Sequence, residues 1–350
     1  MSRAEAGELG GFGGRGEAAQ VRKSAAEKPY CINKRKNVRI LTYKHEKTAV
    51  EKVLRIGAEM SQSLDAEICF LTARSGTPAT EEPPPVGVDI PWEQRGKLQP
   101  GIQILTQAME LLTKTGFLSP QDSINIRAVR NGYLFLGATP SGRRVPFYER
   151  YGNLIEVLNY EVDEHQQDLV VVGAPRRQGL GRFVSGDRAN HLARDLHASV
   201  FLVRSGDLNS RFLVCADGSP SARRLFPLLK QLLPAVRGPV DLIWVREPDA
   251  TVEETEAGNE CVQRARAWLD SCGKEGNLLL REGEQPEELI LEEAGDESVI
   301  VMGGSLRHDV HHRVRGSLPL QVLAKTESSV LLAKLPPEVD TDFFEELDTC

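Results

Sequence analysis

Two short segments in the second half of the chain hold residue types that could grip a phosphorylated ligand. The first is Asp217-Gly218-Ser219, after the apolar run RFLVCA; the second is Gly303-Gly304-Ser305-Leu306-Arg307, after SVIVM, continuing to Gly316-Ser317. A carboxylate at a strand end can accept hydrogen bonds from a base or a sugar. Glycines let backbone amides approach phosphate oxygens, and a serine at a helix N-terminus sets a hydroxyl beside the positive end of the helix dipole. The same residues also make an ordinary Asp-Gly turn and two ordinary helix caps. Arg307, Arg313 and Arg315, and in the first half Arg176, Arg177 and Arg182, cluster on the corresponding loops. They either hold phosphates or form solvated basic loops. His308, His311 and His312 lie close together, but no nearby carboxylate or thiolate completes a tetrahedral set, so no metal site is expected. Covalent catalysis lacks its signatures: G-x-S-x-G, H-E-x-x-H, a full P-loop, HxGH and SGGxDS are absent. Ser219 therefore reads as a helix cap, and activity beyond slow nucleotide hydrolysis is not expected.

The elements that must carry these segments alternate between strand and helix. VRILTY, a stretch with Val50, Val53, Leu54, Gly57, Met60 and Leu64 at helical spacing, and EICFLTA read as strand, helix, strand. A Pro-rich stretch of about 25 residues follows and reads as a surface insertion. The pattern resumes with a helix carrying Ile102, Leu105, Met109 and Leu112, then INIRAV, a second irregular stretch NGYLFLGATPSGRRVPFYER, a helix with Leu154, Ile155, Leu158 and Val162, DLVVVG, a Gly- and Arg-rich loop, and SVFLV. The second half runs more compactly through RFLVCA, a helix over Ala222 to Leu232, VDLIWV, a helix ending RARAWLDSC, NLLLRE, PEELILEEA, SVIVMG and SVLLAKL. Each half is βαβαβαβαβ.

Sliding the sequence over itself exposes a repeat. The 37 residues from Asp168 lie without a gap over those from Ser298, at an offset of 130, with Gly173 on Gly303, Arg177 on Arg307, Val184 on Val314, Gly186 on Gly316, Ser199 on Ser329 and Val200 on Val330. RILTYKHEK overlies RFLVCADGS at an offset of 172, so the first copy holds about 42 extra residues, which the two irregular stretches supply. Alternating strands and helices make a parallel sheet covered on both faces, and right-handed crossovers favour the order 3-2-1-4-5. Its ligand crevice lies at the carboxyl ends of strands one and four, where the two polar segments fall.

Composition bounds the rest. The 350 residues suit roughly two domains; 40% hydrophobic and 27% charged residues exclude wholesale disorder, collagen and coiled coil. Against 43 basic residues stand 50 acidic ones, and a net charge of −7 disfavours general nucleic-acid binding. No apolar stretch is long enough to span a bilayer, and the N-terminus lacks a signal-peptide core, so a cytoplasmic protein is expected. Cys31, Cys69, Cys215, Cys261, Cys272 and Cys350 are scattered, which suggests neither a disulfide framework nor a zinc ribbon.

The second copy resembles a universal stress protein domain. That family is a five-stranded doubly wound sheet whose ATP-binding members show an Asp after strand one and G-x2-G-x9-G-[ST] after strand four. Asp217 matches the Asp, Gly303 the first Gly and Gly316-Ser317 the final pair; Leu306 stands at the middle Gly, making a bulkier loop. GEQPEELI, from Gly283, resembles the turn before the family's third helix. In the first copy Gly173 and Gly186 stand, while Arg176 replaces the middle Gly, Asp187 the Ser and His45 the Asp. Asp187 would repel a terminal phosphate, so this copy is expected to have lost ordinary ATP binding or to bind something else.

The resemblance spans residues 38–335 and implies a stress or signalling role with an adenine nucleotide of the ATP class bound mainly in the second domain. The candidate contacts are Asp217, Gly218, Ser219, Val245, Gly303, Arg307, Gly316 and Ser317. The contrasting reading is a nucleotide-free interaction scaffold with vestigial crevices. The expected organisation is a disordered lead-in at 1–37, a first domain at 38–206 with insertions at about 76–100 and 130–150, a second at 210–335 and an acidic tail at 336–350. The apolar edges SVFLV and SVLLAKL are expected to pair or pack together and make the chain a pseudo-dimer; a homodimer of chains is a further possibility. The tail, from LPPEVDTDFFEELDTC, carries six acidic residues, no basic one, and Phe343-Phe344. It is either solvated and inert or docks in a basic, apolar groove of a partner.

Overall fold

The apolar run from Val38 becomes β1 (Arg39–Tyr43), α1 (Val50–Ser63) and β2 (Glu67–Arg74) in a computed structural model. It describes residues 38–43, 50–76, 83–174, 182–304, 317–334 and 343, with the backbone alone at 50 and 182–188. The first half continues with β3 (Asp89–Pro91), α2 (Pro100–Lys114), β4 (Ser123–Asn125), β5 (Arg127–Val129), β6 (Gly132–Ala138), β7 (Arg144–Tyr151), α3 (Leu154–His165), β8 (Leu169–Gly173), α4 (Arg182–Asp195) and β9 (Ser199–Val203). The second comprises β10 (Phe212–Cys215), α5 (Pro220–Arg223), α6 (Leu225–Leu232), β11 (Val240–Arg246), α7 (Val252–Ser271), β12 (Leu278–Glu282), α8 (Pro286–Ala294), β13 (Val299–Gly303), α9 (Leu318–Lys325) and β14 (Ser329–Ala333).

Local chemistry explains where these helices stand. Thr251 and Glu254 form a reciprocal capping box that starts α7. In α2, Ile102, Leu105, Met109 and Leu112 make one buried stripe, as their spacing requires. The strands are apolar along their length because a parallel sheet is covered on both faces.

One sheet takes in strands of both halves, in the order β12-β11-β10-β13-β14-β9-β8-β1-β2-β7-β6-β5. Within each half the five parallel strands run 3-2-1-4-5, as β12-β11-β10-β13-β14 and as β7-β2-β1-β8-β9. The third strand of the first half is not INIRAV, which divides between the short β4 and β5. It is β7, from the stretch expected to be irregular, and β7 pairs in parallel with β2, Phe147 opposite Phe70. Gly132, Gly137, Gly142 and Pro146 make this stretch look like loop. It is instead a hairpin, β6 antiparallel to β7, and Phe70, Phe147 and Phe135 stack across three strands with centroids 5.0 and 5.3 Å apart. Arg150 locks β7 to α3 through a buried 2.6 Å ion pair with Glu161. Part of the Pro-rich insertion is ordered too, as β3 pairs with β4 in a separate ribbon.

The two halves meet where β14 pairs antiparallel with β9. Phe201 lies opposite Leu331, residues that the 130-residue repeat makes equivalent, so a pseudo-twofold axis passes between them. The contacts around it are reciprocal. The Arg204 amide donates to Ser329 Oγ at 2.9 Å, and the Lys334 amide to Ser199 Oγ at 3.1 Å. The buried Arg204 guanidinium donates to the Thr326 and Leu323 carbonyls at the end of α9, while the buried Lys334 ammonium donates to the Leu196 carbonyl just past α4. Each cation sits at the negative end of the other half's helix.

Leu331→Pro, at the axis, should remove at least about 1–3 kcal/mol of stability, the cost of leaving a buried ladder group without its partner in a central strand. Arg204→Ala should cost about 1.5–3 kcal/mol, the range for hydrogen bonds from a charged group. Urea denaturation of the full chain measures both.

Candidate functional site

The switch point of the second half lies between β10 and β13, which are parallel neighbours. Beyond β10 the chain turns through Asp217, whose Oδ1 accepts from the Ser219 amide at 2.9 Å. The turn needs Gly218, which has φ +77° and is buried. Ser219 is the N-cap of α5, its hydroxyl accepting from the Ala222 amide. Asp217 itself is exposed, and among the described residues its Oδ2 accepts no hydrogen bond. On the other side of the crevice Ser317, also exposed, is the N-cap of α9, and its hydroxyl makes no cap hydrogen bond. Val245 is half-buried near the end of β11, one strand farther out.

The glycines have a second physical explanation. A Cβ on Gly303 would run into the Ser221 carbonyl, because α5 lies directly on the end of β13. A Cβ on Gly218 would stand 2.5 Å from the Ala257 carbonyl oxygen and 2.8 Å from the Gly258 amide nitrogen, because α7 walls the turn. Gly258 in turn receives the Trp244 indole, whose Cε2 would be 2.5 Å from a Cβ there. Close packing of backbone on backbone thus accounts for Gly218 and Gly303 without a ligand. Gly258 and Trp244 were not singled out from the sequence. The signal was present: a glycine inside a helix costs about 1 kcal/mol against alanine and asks for a packing reason.

Two thiols border the same turn, the half-buried Cys215 and the buried Cys261. Burial, then the negative charge of Asp217, raises Cys215 well above the usual thiol range. Burial pushes Cys261, on the inner face of α7, up to about 11 against the opposing pull of Arg223.

Arg307 and Gly316 lie outside the described residues, as do His45, Arg176, Arg177, His308, His311, His312, Arg313 and Arg315. Among the described residues no group of His, Cys, Asp and Glu could hold a metal ion. In the first half Gly173 ends β8, as Gly303 ends β13. The equivalents of Gly316-Ser317 do differ. α4 begins at Arg182, so Gly186 and Asp187 lie inside the helix rather than ahead of it. Its N-terminus therefore stands about 8 Å along the axis from the position that Ser317 occupies in α9.

Residues 44–204 match the model of the Universal stress protein family. The match falls on the first half, although the Asp and glycine motif is better kept in the second. Among solved structures the chain is similar to a universal stress protein from Archaeoglobus fulgidus, with a TM-score of 0.51 and 15% identity over 85% of this chain and 96% of that one. It is also similar to a protein of unknown function from Pseudomonas aeruginosa, with a TM-score of 0.52 and 15% identity over 89% and 96%. At such identities the likeness shows the fold, which both halves share. No curated protein matches the sequence. Among the described residues no helix is long and apolar enough to cross a membrane.

Gly303→Ala should lower stability by about 1–3 kcal/mol with no nucleotide present, since α5 must move to admit the methyl group; differential scanning calorimetry of the full chain reads this. Iodoacetamide at pH 8, followed by peptide mass spectrometry, should modify the exposed Cys272 and spare Cys261. A thiol raised to about 11 stays protonated until the pH approaches that value, so Cys261 should react only in strong alkali.

Proposed function

We propose, from the match of residues 44–204 to the Universal stress protein family, that the chain is a regulatory, cytoplasmic protein that binds an adenine nucleotide of the ATP class in the crevice of its second half. In this reading the chain divides into two domains, at 38–206 and 210–335. The observation that carries it is the pair of exposed polar groups flanking one switch point: the Asp217 carboxylate beyond β10, whose Oδ2 accepts no hydrogen bond among the described residues, and the Ser317 hydroxyl ahead of α9, which makes no cap hydrogen bond. Asp217 orients the base or ribose. Ser317 and the first amides of α9 receive phosphate oxygens at the positive end of the helix dipole, and Arg307 adds charge. Ser219 supports the site by holding the turn, its own hydroxyl being committed to the cap. Val245 lines the floor. Gly316 leaves room for the phosphates, whereas Gly218 and Gly303 let α7 and α5 close around the crevice.

The first half lacks this arrangement, since the start of α4 is displaced, and is proposed to have given up ordinary ATP binding. The second reading, an interaction scaffold with vestigial crevices, is favoured by one observation: packing alone suffices to require Gly218 and Gly303.

Calorimetric titration of the full chain with ATP, ADP and AMP separates the two. Micromolar binding is expected, lost in Asp217→Ala and weakened about tenfold in Ser317→Ala, the worth of one good hydrogen bond. Silence with all three nucleotides, with no ligand copurifying by mass spectrometry, would leave the scaffold.

A further inference from the structure

In the second half, α6 and α7 bring together an aromatic pair, Phe226 and Trp268, with ring centroids 6.1 Å apart and planes at 90°. A third ring joins them, and it comes from the acidic C-terminal tail. Phe343 stacks on Phe226 at 6.0 Å and 18°, and meets Trp268 edge to face at 5.1 Å and 89°. Both geometries are the favourable ones for aromatic quadrupoles. The Lys230 ammonium stands 5.7 Å from the centre of the Phe343 ring, within cation–π range. Phe226 is fully buried and Trp268 nearly so, although both stand on helices at the surface.

We propose that the α6–α7 face is a docking groove for an aromatic side chain carried on an acidic segment, and that its occupant is the chain's own C-terminal tail, with Phe343 as the anchor. The tail's chemistry fits the groove. Glu338, Asp340, Asp342, Glu345, Glu346 and Asp348 surround Phe343-Phe344 with no basic residue among them, and Lys230 lies at the point of contact. The tether fits as well, since eight residues separate Phe343 from Lys334, the last described residue before it. A linker this short holds its ligand at an effective concentration in the millimolar range. A single ring with a modest affinity is therefore held in place, and is exchangeable for another segment of the same chemistry.

The test is 19F NMR of the full chain labelled with fluorotryptophan, which gives separate resonances for Trp92, Trp244 and Trp268. Phe343→Ala should shift the Trp268 resonance and leave that of Trp92 in place. A synthetic peptide of residues 336–350 should restore the wild-type position in the Phe343→Ala chain. It should do so at a concentration about tenfold lower than the wild-type chain needs to show any response, because the tethered tail competes. Lys230→Glu should weaken the restoring peptide. A Trp268 resonance that does not respond to Phe343→Ala, or a peptide that binds neither chain, would overturn the groove. A wild-type signal that changes with protein concentration would overturn the occupant, showing that the tail comes from a second copy.

Discussion

The antiparallel ladder between β9 and β14 is the constraint on which the rest depends. Each of these strands ends a five-stranded parallel sheet, and an apolar end strand leaves a row of amides and carbonyls without partners. Pairing the two ends turns a pair of liabilities into the centre of one continuous sheet. The pairing also fixes the side chains that follow the strands. Ser199 and Ser329 each take the amide of the residue after the opposite strand, and the buried cations Arg204 and Lys334 can be tolerated because helix-end carbonyls receive them. A buried ammonium without such a partner would cost several kcal/mol. Ladder, serines and cations therefore stand or fall together.

Much of this was legible in the sequence, for a definite reason. Strands buried on both faces must be uniformly apolar, so DLVVVG, SVFLV, SVIVMG and SVLLAKL announce themselves, and the order 3-2-1-4-5 follows from handedness. The third strand of the first half was hidden because β6 and β7 carry glycines and Pro146, residues that ordinarily break strands. Their pairing is decided by the stack of Phe70, Phe147 and Phe135, a contact between distant segments that no local pattern contains. At the crevice the spacing picked out Asp217, Gly218, Ser219, Gly303 and Ser317 correctly as residues at strand ends and helix starts. Spacing does not distinguish a glycine that makes room for a phosphate from one that makes room for a neighbouring helix. Gly218 and Gly303 do make room for a neighbouring helix.

The halves share a frame and differ where a ligand would test them. Ser317 stands at a helix start and its hydroxyl makes no cap hydrogen bond, whereas Asp187, its counterpart by the repeat, lies within α4. The first half also carries β6 and β5 beyond its third strand β7, which lengthens its outer edge, and among the described residues no strand lies beyond β12 in the second. On the second half Phe226 of α6 and Trp268 of α7 receive Phe343. The same two helices reach the crevice: α6 follows α5, which Ser219 caps, and α7 touches Gly218.

Reciprocal pinning has a consequence for assembly. A strand in a flat ladder has two hydrogen-bonding sides, and both sides of β9 and of β14 are filled within one chain. The surface by which one half recognises its likeness is thus saturated by covalent linkage, at fixed stoichiometry and independently of concentration. Selection on one half is then free of the symmetry that binds identical subunits, where every change appears twice. A further copy of the chain would find this valence already closed and would have to approach through some other face.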